Sequence, residues 1–404
     1  MSEKTHINDQ APVEEKEYST LNLGPTHPAT HGIFQNVLKM DGEIIVDAEP
    51  TIGYIHRAFE KLAERRPLNQ ITPITDRLNY CSSPINNMGW HMTVEKLIGA
   101  ELPKRVEYMR VIIMELARIA DHIICNSVIG VDTGALTGFT YIFQWREFIY
   151  EIYEEICGAR LTTNIGRIGG FERNFSDKAW EKIDYFLKHF PKGLQEFENL
   201  LMRNRIFMER TINAGGIKAD RALAYGFTGP NLRAAGVDYD VRVMNPYSSY
   251  EDFDFIIPVG TNGDVYDRFM VRQQEMKESL KIIETAVKNI SRTEEVYHGN
   301  VPEFYLPPKQ EVYNNMEALI YQFKIVMGET DVPKGEVYHC VEGGNGELGF
   351  YLISDGGRTP FRLHFRRPCF IFYQAYPEMI KGSMLSDAIL TMSSMNVIAG
   401  ELDA

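Results

Sequence analysis

The sequence predicts an α+β fold in which strands contributed by both ends of the chain flank a central bundle of long helices. Two patterns predict it: β-like runs close to each end, and apolar residues at helical spacing through the middle. At 44% hydrophobic and 24% charged over 404 residues, the chain has a core to bury and is not collagenous, repetitive or wholly disordered. No internal repeat or long linker interrupts it. The parts therefore read as one unit: an acidic flexible tail at 1–17, an N-terminal β segment at 18–53, a helical bundle at 54–330, and a C-terminal β segment with a terminal helix at 331–404.

Residues 33–39 and 44–48 alternate as strands and turn around Asp41-Gly42, which supplies the positive φ of a tight hairpin. From about residue 54 the period becomes helical. Val106, Met109, Ile113, Leu116, Ala120 and Ile123 form one stripe, and Ile112 and Ile119 widen it, so a helix at 104–129 is buried on several sides. Phe139, Ile142, Ile149, Tyr153 and Ile156 mark the next helix. Ser176 caps another with Asp177 in its first turn, and Pro191 is expected to interrupt it before Leu194, Phe197 and Leu201. A helix over 265–290 turns Phe269, Met276, Leu280, Ile283 and Val287 inward, spanning about 40 Å at 1.5 Å per residue. A further helix follows Pro307-Pro308 near 315–327, and residues 337–372 read as strands broken by paired glycines.

Charge and composition exclude several classes. Lys plus Arg (42) against Asp plus Glu (55) gives a net charge of -13 with no basic patch, which argues against a nucleic-acid surface. The most apolar window, 111–131, contains Glu115, Arg118, Asp121 and His122, whereas a spanning helix needs about 20 nearly uncharged residues. The N-terminal stretch carries five acids against two lysines, unlike a signal or transit sequence. Five scattered cysteines form no CxxC pair of the kind that binds zinc or an iron–sulfur cluster. The glycine-rich runs match neither a P-loop nor a dinucleotide fingerprint.

Three short segments concentrate reactive side chains. GPTHPATHG at 24–32 spaces His27 and His31 four apart, but Pro28 and the flanking glycines make it a rigid loop presenting imidazoles; two loop histidines satisfied by backbone are the alternative. DRLNYCSS at 76–83 gathers a carboxylate, a guanidinium, a phenol and a thiol between prolines, with Tyr80 either reactive or simply a packed aromatic. GVDTG at 130–134 places Asp132 after the most apolar helix, as a functional carboxylate or as a cap for the segment starting at Ala135. TMSSM at 391–395 reads as core packing, since methionine fills irregular gaps.

Taken together and in order, GPTHPATHG, GYIHRAFEK, DRLNYCSS, VEKLIGAELP, GVDTGALT, RIGG, GDVYDRFMVR with EMKESLKII, and KGEVYHCVEGGNGELGFYLISDGG resemble the D-subunit family of NADH-quinone oxidoreductase. That family is a peripheral-arm component of respiratory complex I, related to the large subunit of nickel-iron hydrogenases, and the resemblance spans 21–403. It implies a quinone headgroup held between Tyr80 and His31, with Asp132 hydrogen-bonded to that histidine. It implies His27 as a supporting loop residue and Arg57 directed towards the terminal iron–sulfur cluster of the neighbouring B subunit. NAD is bound elsewhere in the complex, and this chain is expected to bind no metal, because only Cys81 lies near Tyr80 and no cysteine follows Cys369. The implied partners are the B, C and I subunits and the membrane-embedded H subunit, on the cytoplasmic face of the bacterial inner membrane. Two departures stand out: Thr162 occupies the position of a histidine thought to couple cluster redox state to protonation, and the sequence closes Leu402-Asp403-Ala404 where relatives close in Asp-Arg.

Quinone reduction consumes two electrons and two protons. A phenol and an imidazole supply proton donors, but neither carries electrons over a distance, so the chain is expected to be half of an active site. Two classes compete. One is a scaffold protein in which Tyr80 and His31 serve assembly alone. The other is the hydrogenase side of the family: a hydrogenase itself requires two CxxC pairs, which are absent, while a quinone-reducing dehydrogenase fed by ferredoxin or another donor stays open.

Overall fold

The computed structural model describes residues 17–301 and 304–404, so all of the expected acidic tail except Glu17 lies outside the described residues. The architecture is the expected α+β one. An antiparallel sheet of Ser19–Leu23, Gln35–Asp41 and Ile44–Thr51 opens it, with the hairpin turning at Gly42 (φ 62°). The first strand of this sheet was not legible: it lies at the sheet edge with all but its last residue exposed, so it lacks an alternating apolar signal.

At the centre is the Lys104–Asp132 helix, 29 residues long. The charges that break its hydropathy are buried and matched rather than solvated. Glu115 accepts from Arg118, from Arg242, from the Tyr250 hydroxyl at 2.6 Å and from Ser279 at 2.6 Å. Arg233 bridges Glu275 at 2.7 Å and Glu342 at 2.9 Å, while His122 Nε2 meets Glu275 at 2.7 Å. Burial pushes the Glu115 carboxyl up, but Arg118 and Arg242 outweigh it and hold the group below its ordinary range. Removing one partner would leave an unmatched buried charge, at a cost of about 3–5 kcal/mol.

The Leu136–Cys157 helix packs between this centre and the Asp177–Leu201 helix. Ser176 caps the latter as expected, accepting from the Ala179 N–H. The expected interruption at Pro191 does not occur, and the helix runs through it. An interior proline costs about 3 kcal/mol, whereas Phe186, Phe190, Leu194 and Phe197 are buried on one stripe, each worth roughly 1.5–3 kcal/mol. Trp145 packs edge-on against Phe186 and Phe190 in the space Gly193 leaves; a Cβ there would lie 2.1 Å from the indole nitrogen. The Val265–Asn289 helix lies along the central one.

The C-terminal sheet, Gly335–Gly343, Gly346–Ser354 and Arg362–Arg366, packs on the Ser83–Ile98 helix. The β-like reading holds only to Arg366. From Pro368 the chain turns helical, as Pro368–Phe372, Tyr376–Ile380, Leu385–Met395 and Ala399–Asp403, because a proline at the first helical position is preorganised for a helix start. These helices and the N-terminal sheet share a second apolar cluster, built from residues such as Phe34, Leu38, Phe372, Tyr376 and Met395. A lone bridge, Ile44 to Met384, joins them. No helix among the described residues is long and apolar enough to cross a membrane.

Candidate functional site

Where the two clusters meet lies a cavity of about 230 Å³, walled by five stretches distant in sequence: 29–34, 80–81, 124–128, 143–146 and 392–398. Tyr80 and His31 both line it. Each is placed by its own local device.

His31 sits at the end of a single tight turn, Pro28–Thr30, in the left-handed region at φ 53°. Thr30 is buried beneath it and donates to the Pro25 carbonyl at 3.1 Å and the His27 carbonyl at 3.0 Å. The turn thus fixes where the exposed His31 ring begins. His27 caps the same turn, its Nδ1 accepting from the Ala29 N–H at 3.1 Å. That imidazole is satisfied by backbone and is not in the cavity wall.

Tyr80 rides on a connection pinned to the central helix by Asp121. The Asp121 carboxylate accepts from Asn79 at 2.7 Å, from Ser82 at 2.9 Å and from Asn396 at 2.9 Å, so the residues on both sides of Tyr80 are anchored to one buried acid. Gly344 makes room for it, since a Cβ there would stand 2.1 Å from the carboxylate. Tyr80 is 40% exposed, yet desolvation in the cavity wall, with the neighbouring Cys81 and Cys369, pushes its phenol up to about 12. The hydroxyl therefore keeps its proton at any physiological pH and serves as a donor.

Asp132 departs from expectation in two ways. It closes the Lys104–Asp132 helix instead of capping the next, whose N-cap is Ala135, and it is exposed. The expected hydrogen bond to His31 is not formed; the carboxylate accepts instead from the Ser393 hydroxyl, which lines the cavity. Desolvation raises the Asp132 carboxyl above its ordinary range, against the Ser393 hydrogen bond and the His31 charge that lower it. His31 thus reaches Asp132 through space, and Ser393 joins Asp132 to the cavity.

Arg57 is exposed outside the cavity wall, its guanidinium 5.2 Å from the centre of the Phe59 ring. Thr162 sits in a loop at φ 49°, its hydroxyl donating to the Leu161 carbonyl at 2.7 Å. The Asp403 carboxylate accepts from the Gly53 N–H at 3.1 Å and the Ile55 N–H at 2.8 Å, and its carbonyl meets His56 Nδ1 at 3.0 Å. All five cysteines are free, and no group of three or more His, Cys, Asp or Glu among the described residues is placed to hold a metal ion.

Sequence reasoning missed Asp121, Ser393, Asn396 and Arg146. Asp121 registered only as a break in hydropathy. TMSSM does pack the core through Met392 and Met395, but Ser393 projects between them onto the cavity. Arg146 could have been found from the spacing of Phe139, Phe143, Arg146 and Tyr150, a second helical stripe beside the core-facing one.

A family described as respiratory-chain NADH dehydrogenase, 49 Kd subunit, matches residues 132–404. The chain is 75% identical to the D 2 subunit of NADH-quinone oxidoreductase from Cytophaga hutchinsonii over 96% of its own length and 98% of the relative's. It is 73% identical to the D subunit from Flavobacterium johnsoniae, covering 96% and 94% of the two chains. The C/D subunit from Bdellovibrio bacteriovorus is 47% identical over 96% of this chain, which spans 69% of that longer relative.

Proposed function

Since the chain belongs to the 49 kDa subunit family of the respiratory-chain NADH dehydrogenase, we propose that it forms, with the B subunit, the headgroup site at which electrons from NADH reduce quinone to quinol. The observation that carries this reading is that Tyr80 and His31 share one small cavity. At about 230 Å³ it is below the roughly 300–1,000 Å³ of a drug-sized ligand site, so it suits a single ring while a long tail lies outside. Its wall mixes apolar side chains with convergent donors, as a neutral ring bearing two carbonyl oxygens requires.

The chemistry divides between chains. Quinone takes up two electrons and two protons to become quinol. Tyr80 donates a hydrogen bond to one carbonyl oxygen, strengthening as that oxygen gains charge, and His31 approaches from the opposite loop to serve the other. Asp132 faces His31 through space and is joined to the cavity by Ser393. Electrons come from the terminal iron–sulfur cluster of the B subunit, with Arg57 on that side and His27 holding the loop. The C/D chain of Bdellovibrio bacteriovorus supports contact with the C subunit. The I and H subunits complete the set of neighbours in this reading. The chain is peripheral, on the cytoplasmic face of the membrane.

Tyr80→Phe tests the site. In the assembled complex the clusters stay reducible by NADH while quinone reduction falls roughly 10²-fold, the usual loss of a hydrogen bond that strengthens in the transition state. An equal fall in NADH oxidation by an artificial acceptor would favour a scaffold role instead.

A further inference from the structure

Along the Leu136–Cys157 helix, Phe139, Phe143, Arg146 and Tyr150 are spaced to share one stripe, and Phe143 and Arg146 line the cavity. The rings of Phe139 and Phe143 stack with centroids 4.8 Å apart. The Arg146 guanidinium lies 4.8 Å from the Phe143 ring centre and 4.4 Å from that of Tyr150, so two aromatic faces hold it as a flat cation on the cavity wall. Its Nε is buried with no hydrogen-bond partner, and no carboxylate among the described residues pairs with it. The adjacent Glu147 is engaged by Arg160.

Nothing in the wall cancels this charge. Burial keeps the Cys81 and Tyr150 groups protonated, with their thiol and phenol well above the ordinary range, and pushes Cys125 up to about 11. Asp132 is turned to Ser393, and Asp121 is taken by three donors. A guanidinium does not lose its proton in a protein. A permanently charged cation that no described carboxylate pairs, beside a small and largely apolar cavity, is costly unless a ligand offers it negative charge.

We propose that Arg146 is a further substrate-contacting residue of this site, its guanidinium stabilising the negative charge that builds on a quinone oxygen when electrons arrive ahead of protons. The inference rests on the quinone reading above. Quinone plus two electrons and two protons gives quinol, the electrons being those that NADH supplies through the complex. Arg146 gives and takes no proton and lowers the energy of the charged stage only. It follows that the site favours ring ligands with an ionised oxygen over neutral ones of the same shape.

The test uses the intact complex carrying Arg146→Met, Arg146→Lys or Tyr80→Phe. Arg146→Met is expected to lower kcat for quinone reduction about 10²-fold with a much smaller change in KM, and Arg146→Lys to restore part of it. Two inhibitors separate charge from packing: an ionised hydroxynaphthoquinone and its neutral methoxy analogue. Arg146→Met should weaken the first about tenfold and leave the second nearly unchanged. If Arg146→Met prevents assembly, Arg146→Gln, close in length and polar but uncharged, replaces it. Unchanged kcat, or equal weakening of both inhibitors, overturns the proposal. Impairment by Tyr80→Phe without impairment by Arg146→Met overturns the role of Arg146 alone, whereas full activity in both variants overturns the quinone reading itself.

Discussion

Glu401 is almost wholly buried, with Asn345 donating to it at 3.3 Å and no cation paired with it among the described residues. Burial pushes its carboxyl up to about 7, the Cys369 and Asn345 hydrogen bonds opposing and the Asp121 charge adding to the rise. A carboxyl raised in the folded state binds its proton more tightly there than when unfolded. Its contribution is therefore full below the ordinary carboxyl range and is lost as pH rises through about 7. Glu401→Gln removes that loss. Relative to the parent, the variant should gain on the order of 3 kcal/mol between about pH 4 and about pH 8, visible as a growing difference in thermal midpoint of the complex. A constant difference across pH would show that Glu401 does not titrate there. Tyr80 gives a contrasting expectation. Because its phenol is pushed up to about 12, Tyr80→Phe should lower the whole pH–rate profile of quinone reduction without moving its alkaline limb. A displaced limb would assign that limb to the phenol.

At the level of elements, Trp145 and Gly193 interlock two helices at a point where a Cβ would meet the indole at 2.1 Å. Gly193→Ala is expected to destabilise by roughly 1–3 kcal/mol through overpacking. Gly193→Ala with Trp145→Leu should recover part of the loss, and a double-mutant cycle on thermal midpoints measures the coupling. The same contact shows why Pro191 misled. A proline is a local signal, while the stripe of Phe186, Phe190 and Phe197 that carries the helix past it is a tertiary one. Local periodicity did reveal the helices of Lys104–Asp132 and Val265–Asn289, since their burial is written at helical spacing. It did not reveal why Glu115 and Arg118 are buried, because their partners Arg242, Tyr250 and Ser279 lie far along the chain.

On the scale of the whole molecule, the cavity belongs to no single element. It forms where the cluster around the central helix meets the one shared by the N-terminal sheet and the C-terminal helices. Tyr80 and His31 were legible only because their surrounding motifs resemble a family; spacing alone left both with bland alternatives. Ser393, Asn396 and Arg146 carry no motif, and only folding brings them together. A ligand bound across this seam ties both clusters. A quinone analogue at about 100 times its dissociation constant should therefore stabilise the folded state by about 2.7 kcal/mol, read as a rise in thermal midpoint of the complex that Tyr80→Phe diminishes. No rise at saturating analogue would place the binding site elsewhere.

The five-part wall also governs how such a site is inherited. Because 392–398 supplies one side of the cavity and is remote in sequence from both Tyr80 and His31, the cavity's shape can change through a stretch that contains neither. On the proposed quinone reading, exchanging residues 385–398 between this chain and a relative that prefers a different ring would move the preference with the graft while leaving Tyr80 and His31 untouched.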